Sequence, residues 1–382
     1  MKLYEYEAKN IFQEYGIPIP KGELAANTSQ AREVAAKIKP PFAVKAQVLT
    51  GGRGKAGGIL FANSVEGAVE AAGKLLKTQV RGVPVKKVLI EEKLPIKKEL
   101  YFGMTIDRAN RSYVAIASTG GGVDVEEVAA KTPEAVWKTL INPQRGLRSL
   151  DAEQIAKKMG YSGEQGAELV RVFDQLCQAG MDYDAELIEI NPLAETADGK
   201  FVAADARLIM DDNALFRHPD HERRLFAEER ESAPREIEAM KHGLAYVKLD
   251  GNIGVVGNGA GLVMATLDMI QYYGGKPANF LDLGGGADTE RIAVALGIIL
   301  FDPEVKGLLI NILGGMTRCD EVARAIVDTK NTVTRPRPMV IRLVGTNEEE
   351  GIRILTQEGI PVLDSMEEAA KSIVEIIKGE DH

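Results

Sequence analysis

The apolar and polar positions alternate most plainly in the last stretch of the chain. Met366, Ala369, Ala370, Ile373, Val374 and Ile377 recur at offsets of three and four, the apolar stripe of an amphipathic helix. Ahead of it, "GNIGVVGN", "ANFLDLGGG", "VKGLLINILGG", "RPMVIRLVGT" and "IPVLD" are short apolar runs roughly 30 residues apart, each followed by a helical segment. That beat predicts five strands and five helices in a doubly wound parallel sheet. The first half of the chain keeps no such beat. "PFAVKAQV" and "VKKVLIEEKL" predict strands and "SVEGAVEAAGKLL" a helix, while "KELYFGMTIDRANRSYVAIAS" predicts two strands turning at "RAN", a hairpin and so antiparallel. Residues 151–180 follow a helical period, and "AELIEINPLAETADGKFVAADARLIM" predicts a second hairpin turning at "ADG". Between the halves lies "FRHPDHERRLFAEERESAPREIEAMKHG", dense in charge and carrying two prolines, which sets the expected boundary near residue 240.

Composition narrows the class. A length of 382 residues favours two or three domains, and 45% hydrophobic with 27% charged residues is an ordinary globular balance. The formal net charge of -9 argues against a nucleic-acid or anionic-membrane surface, which needs a basic footprint. No apolar run reaches membrane-spanning length. The opening "MKLYEYEAKNIFQEYG", with Glu5, Glu7 and Glu14, predicts an amphipathic helix rather than a signal or transit peptide, so a cytoplasmic protein is expected. Cys177 and Cys319 stand far apart without metal-ligand spacing, which suits buried thiols in a reducing compartment.

Polar residues set against this apolar pattern are the candidates for chemistry. Lys45 lies on a predicted strand that runs into "GGRGKAGG", where a lysine can meet phosphate oxygens and bare backbone can approach them. The loop is not a Walker A motif, because Leu49 and Ala56 replace the required glycine and hydroxyl residue. A hairpin tip and a phosphate lid both remain open from these residues. In "AELIEINPL", Glu189 and Asn191 alternate with apolar neighbours, and the turn at "ADG" brings Asp205 opposite them. Two carboxylates and an amide oxygen make a hard-oxygen site of the kind Mg²⁺ uses; a solvated sheet face is the alternative. Glu91 and Glu99 sit at strand edges, as acceptors for adenine or ribose or as surface charge. In the second half, Gly257, Gly259 and Gly261 give GxGxG, with Leu262 where a dinucleotide fold needs its third glycine. In "ILGGMTRCDEVARAI", Gly314 and Gly315 close a strand and Thr317–Asp320 open a helix. Its free amides at the carboxyl edge of the sheet would favour an anion by roughly 0.3 to 2 kcal/mol, unless Asp320 merely compensates the dipole.

Taken in order, the lysine strand, glycine loop, "LIE" strand and "EINPL" with its later Asp205 resemble the ATP-grasp fold. Together with "GGRGKAGG", "DDNALFR", "LDGNIG", "NGAGL", "PANFLDLGGGA" and "GGMTRCD", they make the chain similar over essentially its full length to the β subunits of succinyl-CoA synthetases, the succinate–CoA ligases. The resemblance implies a fold of mixed α/β and α+β class. An ATP-grasp nucleotide-binding domain would span residues 1–240, and a flavodoxin-like, doubly wound parallel-sheet CoA-ligase domain residues 241–382. It implies nucleotide contacts at Lys45, Gly52, Arg53, Gly54, Glu91 and Glu99, Mg²⁺ ligands at Asn191 and Asp205, and Glu189 as the catalytic glutamate that contacts a visiting phosphohistidine. Asn258, Gly315, Met316 and Thr317 would contact substrate and phosphohistidine.

The chain has four histidines, His218, His221, His242 and His382, whose settings suit structural or solvated roles. In the family the phosphorylated histidine and the CoA site belong to an α subunit, so such a partner is expected. The expected reaction converts ATP, succinate and CoA into ADP, phosphate and succinyl-CoA, a step of the tricarboxylic acid cycle, with GTP left open as the nucleotide. Malate–CoA and citryl–CoA ligases share the architecture, and Met316 and Thr317 depart from the family's more common residues. A non-catalytic nucleotide-sensing scaffold is the alternative from another class, disfavoured by the joint presence of Lys45, Asn191, Asp205 and Glu189.

Overall fold

Antiparallel pairing organises the first of two compact units, Met1–Glu222, in the computed structural model, which describes residues 1–224, 234–332 and 337–380. The chain begins with helix α1 (Glu5–Glu14) and strand β1 (Gly22–Ala25), then α2 (Thr28–Lys37), β2 (Phe42–Ala46), β3 (Ile59–Ala62) and α3 (Val65–Leu75). A two-stranded ribbon, β4 (Gln79–Val80) and β5 (Val83–Pro84), leads into β6 (Val88–Glu92). The first sheet runs in the order β1-β6-β2-β3. Phe42, Val44 and Ala46 of β2 and Val88 and Ile90 of β6 join Ala31, Val34, Ala68 and Ala72 from α2 and α3 in one apolar cluster. Period-two alternation then turns Lys45 and Glu91 to the opposite face.

The second sheet uses β7 (Ile96–Asp107), β8 (Ser112–Ser118), β9 (Val136–Ile141), β10 (Ala185–Thr196), β11 (Phe201–Ala203) and β12 (Arg207–Met210), with helices α4 (Val125–Lys131), α5 (Ser149–Lys158) and α6 (Gly163–Asp182) between them. Its order is β11-β10-β7-β8-β9, with β12 also paired to β10. Both expected hairpins form. The helical stretch expected over 151–180 is divided, because Gly160 takes φ +90°, a left-handed turn that glycine adopts without strain. Helix α6 lies on this sheet, where Phe173 stacks on Phe102 with ring centroids 3.8 Å apart.

The second unit, Arg223–His382, holds β13 (Ala245–Lys248), β14 (Ile253–Gly257), β15 (Asn279–Asp282), β16 (Gly307–Gly314) and β17 (Met339–Gly345) in the order β13-β15-β14-β16-β17. Strands β14 to β17 run parallel, and the order reverses direction at β14, the doubly wound arrangement the strand spacing predicts. Two details differ from expectation. "IPVLD" contributes a single bridge, Ile341 to Val362, because Pro361 offers no N–H and a helix starts at Met366. The edge strand β13 pairs antiparallel with β15; its short apolar run, Leu244–Val247, directly abuts the charged connector and lies outside the regular spacing of the later runs. Helix Pro234–Lys241 buries Ala239 in this unit's core, so the unit begins ahead of residue 240. On the other face, Ala369, Ala370, Ile373, Val374 and Ile377 pack against Val255, Leu309 and Val340.

Among the described residues no helix is long and apolar enough to cross a membrane. Both cysteines are buried. Phe173→Ala removes half of the ring stack under β7 and should lower the unfolding free energy by about 3–5 kcal/mol, measured by urea denaturation.

Candidate active site

Helix α1 buries one stripe, Glu5, Ala8, Lys9, Ile11 and Phe12, so an acid and a base occupy positions that its period assigns to the interior. Their partners are the polar residues on the inward-turned face of the first sheet. Lys9 Nζ lies 3.0 Å from Glu5 Oε1 and 2.5 Å from Glu91 Oε1. Lys45 Nζ lies 2.9 Å from Glu5 Oε1 and 2.8 Å from Glu91 Oε2. Arg53 folds inward from the glycine loop, pairs with Glu5, and donates from Nη2 to Asp205 Oδ1 at 2.8 Å and from Nη1 to the Ala46 carbonyl at 3.1 Å. Gln47 Nε2 donates to Glu5 Oε2 at 3.2 Å. Lys45 and Arg53 are each only 7% exposed, Glu5 5% and Lys9 2%.

Three cations thus face three carboxylates, of which Glu5 and Glu91 are buried and Asp205 is partly open to solvent, and deleting a buried member would leave its partner charge uncompensated, a loss of about 3–5 kcal/mol. Burial opposes ionisation of Glu5, yet Arg53, Lys45 and Lys9 together hold its carboxyl well below the ordinary value. Burial pushes the Asp205 carboxyl up despite the pull of Arg53, and burial lowers Lys9 more than Glu5 raises it. For Lys45 burial is outweighed by Glu5, Glu91 and Asp205, which raise its ammonium.

The glycine loop is the connection between the antiparallel strands β2 and β3, closed by a bond from Ala46 N to the Gly58 carbonyl at 2.8 Å. Gly52 and Gly54 are exposed while Arg53 between them is buried. The hairpin-tip reading is therefore correct for the backbone, and the tip also carries a cation into the site. At its base, the buried Thr50 Oγ1 has no hydrogen-bond partner among the described residues.

The strand expected over "FVAADARLIM" is interrupted at Ala204–Ala206. Leu193 pairs with Ala203 and Glu189 with Arg207, so the shared register brings Asn191 opposite Asp205 in the gap, as the alternation predicts. Asn191 Oδ1 accepts from Gly122 N at 2.7 Å and Nδ2 donates to the Val123 carbonyl at 2.9 Å. A second glycine loop, Gly120–Gly122, is thereby tied to Asn191. Only glycine fits there, because a Cβ on Gly121 would fall 2.3 Å from the Leu100 carbonyl oxygen, and one on Gly122, at φ +71°, 2.1 Å from Glu99 Oε2. Glu99 is exposed beneath this loop, whereas Glu91 is buried between the two lysines rather than open at a strand edge. Glu189 accepts from Tyr101 Oη at 2.9 Å and from Arg207 Nη1 at 3.3 Å. Glu5, Lys9, Gln47, Tyr101 and the second glycine loop were not evident in the motifs. Polar residues on the buried stripe of α1 were the one signal available for the first two.

In the second unit the expected residues gather at the carboxyl edge of the parallel strands. Asn258 spends both ends of its amide on Leu313, donating to its carbonyl and accepting from its N–H, each at 2.8 Å. Asp282 Oδ1 collects the N–H groups of Gly259 and Gly284. Gly315 is exposed and Met316 is 82% exposed, while Thr317 is buried and accepts from Gly286 N at 3.1 Å. The helix expected to open at Thr317 starts at Cys319, whose N–H is taken by the Thr346 carbonyl; the backbone turns once more before it can wind. Asp320 is held by Arg318, Arg324 and Asn347. His218 stacks on Tyr183 and bonds Asp184, His221 packs edge-on against Tyr183, and His242 pairs with Glu238. His382 lies outside the described residues.

Comparison with known proteins follows the same division. An ATP-grasp domain model matches residues 2–195 and a CoA-ligase model residues 256–374. The ADP-forming succinate–CoA ligase subunit β of Ignicoccus hospitalis is 46% identical over 378 residues, covering 99% of this chain and 100% of the relative. The GDP-forming counterpart of Thermus thermophilus is 46% identical over 382 residues with the same coverage. Among solved structures, ATP citrate lyase from Methanothrix soehngenii, in complex with citrate and coenzyme A, aligns with a TM-score of 0.72 at 19% identity, over 94% of this chain and 95% of that one, a likeness of fold.

The Asp320 carboxyl is held well below the ordinary value by hydrogen bonds from Arg318 and Asn347. Its contribution to stability is therefore complete above the unfolded value and is lost as pH falls through the lower folded one. The stability gap between the parent and Asp320→Asn, followed by urea denaturation, should be full above about pH 5 and should close progressively below about pH 4.

Proposed function

The chain belongs to the family of succinate–CoA ligase β subunits, and from that premise we propose that it binds Mg·ATP in its first unit and the acid substrate in its second. With an α subunit that supplies the phosphorylated histidine and the CoA site, it would convert ATP, succinate and CoA into ADP, phosphate and succinyl-CoA. The observation that carries this reading is the meeting of Lys45 and Arg53, two buried cations, with Asp205 across from Asn191.

Asn191 and Asp205 would hold the magnesium ion. Both hydrogen bonds accepted by Asp205, from Arg53 and from its neighbour Ala206, fall on Oδ1, and the Asn191 carbonyl oxygen keeps a second lone pair beside its bond from Gly122. Two oxygen ligands with remaining positions for water and phosphate suit that ion. Held by these residues, a magnesium ion would supply charge neutralisation for the phosphates during phosphoryl transfer. Arg53 changes partner, giving Asp205 up and taking a phosphate oxygen, while Glu5 stays behind as its counter-ion. Lys45 meets the phosphates as a point charge, and the exposed Gly52–Gly54 backbone closes over them. Glu99, under the second glycine loop, faces the nucleotide, and Glu91 aligns the two lysines.

Glu189, fixed by Tyr101 and Arg207, is an acceptor for the N–H of the visiting imidazole and holds that ring in line for transfer. In the second unit Gly315, Met316 and Thr317 form the contact segment for the acid and the phosphohistidine, and Asn258 keeps β14 and β16 in step beside it. Relatives at 46% identity differ in the nucleotide they form, so ATP is the reading favoured by the larger number of ADP-forming relatives.

The test uses the heteromer formed with the α subunit. γ-³²P-labelled ATP should label the partner's histidine, and Asp205→Asn should lower that labelling by roughly a hundredfold or more with the far-ultraviolet circular dichroism unchanged. Label on this chain would contradict the division of labour. Turnover of malate or citrate above that of succinate would overturn the substrate.

A further inference from the structure

We propose that Glu5 and Lys9 of α1 are positioning residues for the nucleotide site, Lys9 fixing the backbone beneath Asp205 and Glu5 aligning Lys45 with Arg53. The proposal rests on the assignment of Lys45, Arg53 and Asp205 given above, and goes beyond it to two residues that touch neither nucleotide nor metal.

The ladder along β10 is broken between β11 and β12. Asp205 lies where β10 has lost its regular partner, so strand pairing does not fix it. The Ala204 carbonyl, one bond before Asp205, accepts instead from Lys45 Nζ at 2.5 Å and from Lys9 Nζ at 2.9 Å. The Ala204 N–H donates to the Pro192 carbonyl at 3.1 Å. Two ammonium groups, one from α1 and one from β2, therefore replace the missing ladder and set where the carboxylate stands. Charge-assisted bonds of this kind are about twice as strong as neutral ones.

Glu5 works on the other side. One oxygen takes both lysines and the other takes Arg53 and Gln47. A single carboxylate thus spans the strand lysine and the loop arginine and fixes their separation. Without it, two cations of like sign would repel and the loop would be free to carry Arg53 outward. Such supporting groups act by orienting the residues that do the work, and their loss characteristically costs about 10- to 100-fold in affinity or activity.

Electrostatics alone predicts the opposite sign, which makes the proposal testable. Removing the positive charge of Lys9 would attract a divalent cation more strongly; removing its grip on Ala204 would weaken cation binding. Removing the negative charge of Glu5 would attract phosphate more strongly; releasing Lys45 and Arg53 would weaken it. The experiment measures Mn²⁺ binding in the presence of ADP by electron paramagnetic resonance, and ADP binding in chelator by calorimetry, on the heteromer with its α subunit. Lys9→Met should weaken Mn²⁺ about tenfold and change metal-free ADP binding less than twofold, and Lys9→Arg should restore most of the loss. Glu5→Gln should weaken ADP about tenfold.

Where a single variant fails to fold, judged by circular dichroism and thermal melting, the double variant Glu5→Gln/Lys9→Met keeps the cluster neutral and should weaken both ligands. Unchanged or tighter binding in the folded variants would overturn the proposal. If Asp205→Asn leaves Mn²⁺ binding intact, the underlying site assignment fails. If Asp205→Asn abolishes it and Lys9→Met does not weaken it, only the positioning role fails.

Discussion

Three cations and two carboxylates held out of water, with the partly exposed Asp205 at their rim, must stay matched, and that constraint ties together parts of the first unit that the sequence keeps far apart. Glu5 and Lys9 come from the first helix, Lys45 and Gln47 from β2 and the residue beyond it, Arg53 from a glycine loop, Glu91 from β6 and Asp205 from a broken strand. None of these charges is tolerable alone in such a setting. The group is thus a lock on tertiary structure as well as a site. If the proposed nucleotide site lies here, the protein's own acids would stand in for the phosphates and keep the cations ready without a nucleotide. On the proposed function, ligand entry would be an exchange of partners, in which Arg53 and Asp205 part and each finds the opposite charge on the incoming complex. Little reorganisation would then be left for the moment of reaction.

The second unit solves a similar problem with backbone rather than charge. At the carboxyl edge of its parallel strands, Asn258 clamps Leu313, Asp282 gathers two glycine amides, and Thr317 receives the amide of Gly286. Each loop is tied to its neighbour by a side chain that is itself spent in doing so. Beside these bonds, the short segment at Gly315 and Met316 stays exposed, where the proposed function would seat an acid or a phosphoryl group. Order in the loops and openness at one point follow from the same set of bonds.

The parallel sheet was legible because buried strands show as unbroken apolar runs and the last helix as a stripe. The first unit was legible in pieces. Alternation in "AELIEINPL" put Glu189 and Asn191 on one face, and the register confirms Asn191 opposite Asp205, yet the break that leaves Asp205 outside the ladder has no signature in "FVAADARLIM". Glu91 looked like an edge acid because β-strand alternation cannot say which face meets a helix, and here α1 covers it. Nothing in the local pattern of the first helix distinguishes Glu5 and Lys9 from ordinary helix charge, since burial of an ion pair depends on partners distant in the chain. The loop Gly120–Gly122 needed the Leu100 backbone and Glu99 to be seen as a tight fit. Local period carries the elements; long-range charge matching carries the site.

A crystal structure of the heteromer with Mn·ADP, phased to show the anomalous signal of manganese, addresses the exchange directly. The account predicts a manganese peak bound by Asn191 and Asp205, with Arg53 on a phosphate oxygen and Glu5 still against Lys45. Manganese and nucleotide bound elsewhere while the Arg53–Asp205 pair stays intact would contradict it.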